Sequence, residues 1–554
     1  MRKKWVIVLS SLSIIIIAVF VYFKLRGTKD FEPLIKEKLQ QLVLEGSDSL
    51  YRLDIDKIEV DISDAHIIVK NASLNIDSAR LVLLDSLRRA TNDVFKVSLK
   101  DLVIDGIGPD DFLKKKNIDL NVIYITEPVV EIFHHKRAYN YSPPDSVTLY
   151  KKIGKEVGHF SINQLSVLNI DFKYHNVSNG NKLTHFKNVS FDFRSILIDS
   201  STQNDSTRFL YAKDAKITLS DYNITTPDSL YHFHVDSMIL NAASRKLDLS
   251  NLSLKPVGDK EDFSKKLDYY KDRYDIAIKK ASIQYIEWWQ LLSEDGLTAR
   301  QIKLDDGKVE IFADRTLRDP HKNKVGNYPH QILMRLKLPV MINNIDVNNF
   351  KVTYTELNAK TGKKGTITYD DISGSFTNIT NRKEVIDQNK YFSLNANAKL
   401  MNAGALHALF KFDLANANTG NFSLDLEVGN MDGKELNTAT KPLGLFEIKN
   451  ADIKKILLHM NANDNNSNGT VTFYYNELQV DVLKQDEEQH NKLKKRGLIS
   501  FIANNFVIKQ SNTSDDNNKD PKHVSYKRDP EKSFFNLIWK TLFTGLSMTV
   551  KGDN

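Results

Sequence analysis

Through most of this chain apolar and polar residues alternate with a period of two. Ala215, Ile217 and Leu219 interleave with Lys216, Thr218 and Ser220, and Phe422, Leu424, Leu426 and Val428 interleave with Ser423, Asp425 and Glu427. Phe392, Leu394, Ala396, Ala398 and Leu400 repeat the pattern, as do Leu478, Val480 and Val482. Successive side chains of a strand point to opposite faces, so each segment predicts a strand with one apolar and one wetted face. Expected helices are few: residues 30–46, 78–90, 110–116, 262–272 and 533–547. They cannot cover a sheet of roughly twenty strands, which at about 4.8 Å per strand would be about 100 Å wide. The apolar faces are therefore closed by a second sheet, or the sheet curls around something that is not protein. Periodicity does not separate the two.

A loose tetrad accompanies the alternation: Asn71-Ala72-Ser73-Leu74, Asn188-Val189-Ser190-Phe191, Asp214-Ala215-Lys216-Ile217, Asp236-Ser237-Met238-Ile239, Asn251-Leu252-Ser253-Leu254 and Asn349-Phe350-Lys351-Val352. Asn and Asp favour turns, so each tetrad reads as a turn opening the next strand of a long antiparallel meander. The irregular spacing argues against a short fixed-period solenoid.

The two ends read differently. From Trp5 to Phe23 the chain is apolar apart from Ser10, Ser11, Ser13 and Tyr22, with Ile14, Ile17 and Phe20 in its interior. At about 19 residues this run is long enough to cross a bilayer as a helix. It ends in Phe23-Lys24-Leu25-Arg26, without a small-x-small cleavage site, which favours an uncleaved anchor over a signal peptide. Basic residues flank both ends nearly equally, but a short tail of residues 1–4 before a long domain favours a cytoplasmic N-terminus. Asp30 caps an amphipathic helix over 30–46, with Leu34, Ile35, Leu39, Leu42 and Val43 on one face and Gly46 at its end. A β-rich body follows over 50–510, then a polar, proline-containing linker over 511–532. The last helix, 533–547, carries Phe534, Phe535, Ile538, Trp539 and Leu542 near helical spacing, either as a lid docked on the sheet or as an interfacial helix.

The composition, 41% hydrophobic and 27% charged, is that of a folding chain. A net charge of +7 without a basic stripe interleaved with aromatics gives no case for nucleic acid. The absence of cysteine excludes disulfides, thiolate metal sites and cysteine nucleophiles, and in a large extracytoplasmic chain it leans toward a bacterial envelope. There is no nucleophile elbow and no Walker sequence. Gly106-Ile107-Gly108-Pro109-Asp110-Asp111 has an aspartate where a dinucleotide loop needs its third glycine, and Gly362-Lys363-Lys364-Gly365-Thr366 reads as a hairpin loop. His232 and His234 share a strand face without a third ligand, so they read as solvated. His134 and His135 point to opposite faces, and Trp288-Trp289 beside Tyr285 reads as core. No catalytic set, metal site or cofactor is nominated, and the chain reads as non-enzymatic.

The anchor, the helix ending at Gly46, Ile55-Asp56-Lys57-Ile58 and the run from Ile67 to Asp77 resemble the start of the AsmA-like envelope proteins, relatives of TamB. Leu102 to Gly106, Asn117 to Leu120 and Ile125 to Ile132 are similar to that family's opening layers. Asn421 to Val428, Ala451 to Ile456, Gly469 to Tyr475 and Glu477 to Leu483 resemble its C-terminal region, about 385–510. The resemblance implies a curled, β-taco-like sheet with an apolar inner groove, held in the inner membrane with its bulk in the periplasm. It further implies carriage of phospholipid tails or a part in outer-membrane assembly. On this reading Val189, Phe191, Ile217, Leu219, Phe422, Leu424 and Leu426 line the groove, with the membrane, phospholipid and other envelope proteins as partners. The alternatives are an envelope scaffold of sealed sandwich domains and, less favoured, an anchored glycan hydrolase.

Overall fold

The computed structural model describes residues 31–61, 66–106, 117–140, 159–178, 182–202, 205, 207–293, 296–485, 493–495, 509–513 and 521–551. The expected anchor, Trp5 to Phe23, and the expected helix 110–116 lie outside the described residues. Among the described residues no helix is long and apolar enough to cross a membrane. The fold is mainly β, and the chain divides into two units, Met1–Tyr222 with Asp236–Lys246, and Asn223–Val235 with Leu247–Asn554.

The first unit opens with helix α1 (Phe31–Gly46), whose Ile35, Leu39 and Val43 are buried on the strands behind it. Two of its polar side chains take up backbone groups of β1 (Tyr51–Asp61): Glu32 accepts from Ile58 N and Gln40 donates to Leu53 O, both at 3.0 Å. These contacts cover an edge that would otherwise present unpaired groups. β1 pairs antiparallel with β2 (His66–Ile76), and Asp77 caps α2 (Ser78–Ser86) by accepting from Arg80 N at 2.9 Å. β3 (Asp93–Asp105) then pairs with two shorter strands in succession, β4 (Asn117–Thr126) and β5 (Val129–His134). Glu127 and Pro128 separate those two, because Glu127 is left-handed (φ 47°) and proline offers no N–H to the ladder. Both run parallel to the long β6 (His159–Asn176), and β7 (Lys182–Ile198) and β8 (Ala212–Thr225) continue antiparallel.

The unit boundary falls within β9 (Tyr231–Asn241), and in the second unit β10 (Lys246–Pro256), whose first residue belongs to the first unit, and α3 (Lys260–Lys265) lead to β11 (Arg273–Gln284). β12 (Leu297–Asp314) pairs parallel with β13 (Val340–Leu357), which requires the long crossover of residues 315–339 and its helix α4 (Pro329–Met334). From there β14 (Lys364–Thr380), β15 (Tyr391–Leu400), β16 (Gly404–Asp413), β17 (Phe422–Val428), β18 (Met431–Asp432), β19 (Phe446–Ala462) and β20 (Asn466–Gln485) pair antiparallel. β21 (Leu493–Lys495) and β22 (Lys522–Lys527) both pair with β20, and α5 (Phe534–Val550) closes the chain.

Several expectations change. The sheet is mixed rather than wholly antiparallel, because β4 and β5 with β6, and β12 with β13, run parallel. Residues 522–527, read as linker, form β22, and Asn512 bridges to Tyr475. The expected helix 262–272 is the shorter Lys260–Lys265, where Asp259 supplies the cap, and the last helix runs three residues further, to Val550.

The tetrads mark the interior of strands and not the turns between them. Asn71, Asn188, Asn251 and Asn349 all have positive φ, from 48° to 55°, in the middle of β2, β7, β10 and β13. Asn169, Asp221, Asp306 and Asp371 share that conformation in β6, β8, β12 and β14. A short side chain that hydrogen-bonds locally is what makes the left-handed region accessible to a residue with a Cβ. Pairing register shifts where several of these residues sit, at Val167–Ile170–Phe172, Val347–Phe350–Val352 and Asp370–Ser373. Such bulges bend a strand and increase its twist. They also align: Asn349 Nδ2 donates to Asp306 Oδ1 at 2.5 Å on the neighbouring strand, and Lys399 reaches Asp371 at 2.8 Å. Next to that line Gly307 leaves room for the Phe350 ring, which a Cβ would meet at 2.0 Å. Asn349→Gly is therefore expected to be near neutral, whereas Asn349→Val should cost about 1–2 kcal/mol, read by urea denaturation. Equal losses for the two would contradict a conformational role.

Candidate functional site

Strand register assembles the apolar faces into rungs that cross the strands. In the first unit one rung runs Ile58, Val69, Leu102, Ile125, Val167, Phe191 and Ile217, through β1, β2, β3, β4, β6, β7 and β8. In the second unit one runs Ile283, Ile302, Ile345, Phe376, Leu394, Phe410, Leu424 and Met460. A parallel one runs Ala281, Leu304, Val347, Gly374, Ala396, Ala408, Leu426, Leu458 and Val471. Shifted by one residue, Lys303, Asp346, Ser375 and Asn395 form the matching polar row on the opposite face. The eight-strand rung spans about 34 Å at about 4.8 Å per strand.

Burial changes along each rung. In the first unit the residues from Ile58 to Val167 are buried, and Phe191 and Ile217 are half-buried. In the second unit Ile283, Ile302, Ile345, Phe376 and Leu394 are half-buried, whereas Leu424 and Met460 are 1% and 0% exposed. The seal is α5. Phe534 packs its ring 5.0–6.1 Å from those of Phe410, Phe412 and Phe422, and Thr541 Oγ1 lies 2.5 Å from Ser467 Oγ of β20. The second unit's rung is thus closed at one end by α5 and half-buried over much of the rest, and the first unit's rung passes from buried to half-buried toward β8.

Of the seven residues expected to line a groove, Val189, Phe191, Ile217, Leu219 and Leu426 are half-buried on these faces. Phe422 and Leu424 are corrected: both are packed against protein, Phe422 among Phe412, Tyr328 and Phe534, because α5 covers that end. The longest partly open stretch, Ile283 to Leu394, was not singled out in the sequence. Its signal is the same alternation, but which face stays open depends on where the helices dock.

A cleft of about 770 Å³ opens in the first unit between α1 and β1–β3, lined mostly by apolar residues including Leu42, Leu50, Leu53, Leu74 and Phe95. Burial raises the Tyr51 hydroxyl on its wall to about 12. Asp48 and Arg89, paired at 2.8 Å, stand among its polar lining.

The charged side chains form separate groups, paired among themselves. Arg315 meets Glu356 at 3.2 Å, Tyr354 donates to Glu356 at 2.8 Å, and burial holds the Asp272 carboxyl above its usual range nearby. His232 contacts Thr225 at 3.0 Å, His234 contacts Asn223 at 2.8 Å, and His134 pairs with Asp93 at 2.6 Å. Among the described residues no group of three or more His, Asp or Glu is placed to hold a metal ion. Trp288 is buried, and the hairpin loop expected over Gly362–Thr366 lies earlier, at residues 358–363, closed by Gly362 N to Asn358 O at 2.9 Å, with Lys364, Gly365 and Thr366 already in β14. No protein-family model matches this chain, and no curated protein matches it significantly.

Proposed function

We propose that this protein is a non-enzymatic, membrane-anchored envelope protein that binds phospholipid acyl chains along the apolar rungs of its sheets. In this reading the aligned bulges curl each unit's sheet lengthwise into a groove, acyl chains lie along the rungs, and headgroups remain in water. The observation that carries it is the half-buried run from Ile283 to Leu394. It is a continuous apolar track on one face, with a polar row on the other. Its parent rung, at about 34 Å, exceeds the roughly 30 Å hydrocarbon thickness of a whole bilayer, so one extended acyl chain fits with length to spare. Each CH₂ moved from water onto such a track gains about 0.8 kcal/mol. A continuous track lets a chain slide without returning that energy to water at every step. The apolar cleft beside α1 is a second place for a chain terminus.

In this reading, which the resemblance to AsmA-like proteins supports, the anchor sits in an inner membrane, with a cytoplasmic N-terminus and the body in the periplasm. Lipid homeostasis or outer-membrane assembly would be the task. The test is native mass spectrometry of the full chain released from detergent, followed by lipid extraction. Phospholipid should be retained by the wild type and reduced several-fold in Ile302→Asp/Ile345→Asp, with the strand signal in circular dichroism unchanged. A lipid-free wild type, or equal retention in the variant, would leave the sealed scaffold as the better account.

A further inference from the structure

Helix α5 has two faces that the sequence does not separate. The buried stripe is Leu537, Thr541, Gly545 and Thr549, small residues after the first, spaced by four. They let the helix approach β20 closely: a Cβ on Gly545 would lie 2.3 Å from Val471 Cβ. The large aromatics point the other way. Phe535, Trp539 and Phe543 are 72%, 47% and 38% exposed, also spaced by four, with the Trp539 and Phe543 rings 5.6 Å apart and tilted by 33°. Single exposed apolar residues are common, but an aligned aromatic row on a helix fixed from behind is not.

Two features indicate what covers the row. First, its charge: Lys540 lies within it, Lys551 closes the helix, and no Asp or Glu occurs from Ser533 to Lys551. The nearest acid upstream, Glu531, is engaged by His321 at 3.0 Å. Second, its length: 17 residues rise only about 25 Å, too short to span a bilayer but suited to lying along its surface. Aromatic residues flanked by lysine are the chemistry of a helix at an anionic headgroup boundary.

We infer that the exposed face of α5 docks on the surface of an anionic lipid bilayer, with Phe535, Trp539 and Phe543 seated at the headgroup level and Lys540 and Lys551 facing lipid phosphates. A second copy of the chain fits less well, because an isologous pairing of this face would bring lysines together. The inference does not rest on the acyl-chain reading: the rungs could be empty of lipid and this face would still dock.

Because the chain has no cysteine, Ser547→Cys, one turn beyond Phe543, gives a single labelling site that leaves the aromatic row intact. The full chain, held in phosphatidylcholine nanodiscs and carrying an environment-sensitive fluorophore there, is titrated with vesicles of phosphatidylcholine and phosphatidylglycerol. The expected result is a blue shift with phosphatidylglycerol vesicles, quenched by nitroxide lipids placed only in the vesicles. Affinity should fall about tenfold or more in Lys540→Glu/Lys551→Glu, and be lost in Phe535→Ser/Trp539→Ser. No shift, or a shift unchanged by both double variants, would overturn the inference. So would a shift that grows with protein concentration without vesicles, which would identify a second copy as the occupant.

Discussion

Asp464→Ala is expected to destabilise the second unit by about 3–5 kcal/mol, the usual cost of stranding one partner of a buried ion pair. Arg528 and Asp464 meet at 2.6 Å with side chains 2% and 9% exposed. The same carboxylate accepts from Gln331 Nε2 at 2.6 Å and from Gly326 N at 3.2 Å. Arg528 also donates to Lys324 O at 2.9 Å and lies 4.4 Å from the centre of the Tyr328 ring. One carboxylate therefore ties the β12–β13 crossover to the β19–β20 turn and to the end of β22. Removing it leaves a guanidinium without its counter-ion and frees the crossover. Joint replacement, Asp464→Leu with Arg528→Met, should recover much of the loss, since no buried charge is then left alone. Chemical denaturation of the wild type and the two variants reads this directly. An Asp464→Ala cost below about 1 kcal/mol would mean that the pair is solvated in practice.

The second large effect is a pH dependence centred on His330. Its ring is fully buried, 5.2 Å from that of Phe412 and 6.2 Å from that of Tyr328, and neither ring nitrogen has a hydrogen-bond partner among the described residues. Burial pushes it down to about 4, against the opposing pull of Asp464 and Asp413. Because the folded value lies below the unfolded 6.5, the unfolded chain takes up the proton first as pH falls. Stability from this group is complete above pH 6.5 and is lost between 6.5 and about 4, by about 3 kcal/mol in all. Stability measured from pH 7 to 4 should show that slope, and His330→Leu should remove its share. Identical slopes for variant and wild type would show that the imidazole is hydrated.

What the sequence discloses and what it conceals divide along physical lines. Alternation in Phe422 to Val428 identifies a strand and its two faces, because that period is set by the backbone. It does not disclose that α5 covers Phe422 and Leu424 while Ile302 and Ile345 stay half-open, since coverage is decided by elements distant in sequence. The Asn and Asp tetrads are visible, but their usual meaning is a turn. Only register shows that Asn349 sits inside β13 beside Asp306. The parallel pairing of β12 with β13 is likewise hidden, because antiparallel and parallel strands share one alternation. In α5 the apolar spacing marks Phe534 and Trp539 alike, although Phe534 packs on the sheet while Trp539 is exposed, and the rest of the buried stripe is built on Thr541 and Gly545. Small residues carry little hydrophobic signal, yet they are what permits close packing.

The central claim is that the half-buried rungs hold acyl chains, and site-specific photocrosslinking in the native membrane fraction tests it most directly. A photoreactive phenylalanine analogue placed at Ile345 in the full chain looks onto the apolar face, and the same analogue at Asp346 looks onto the polar one. The account predicts phospholipid adducts at Ile345 and at Ile302, and none above background at Asp346. Adducts to protein alone at Ile345, or equal lipid labelling at both faces, would contradict it.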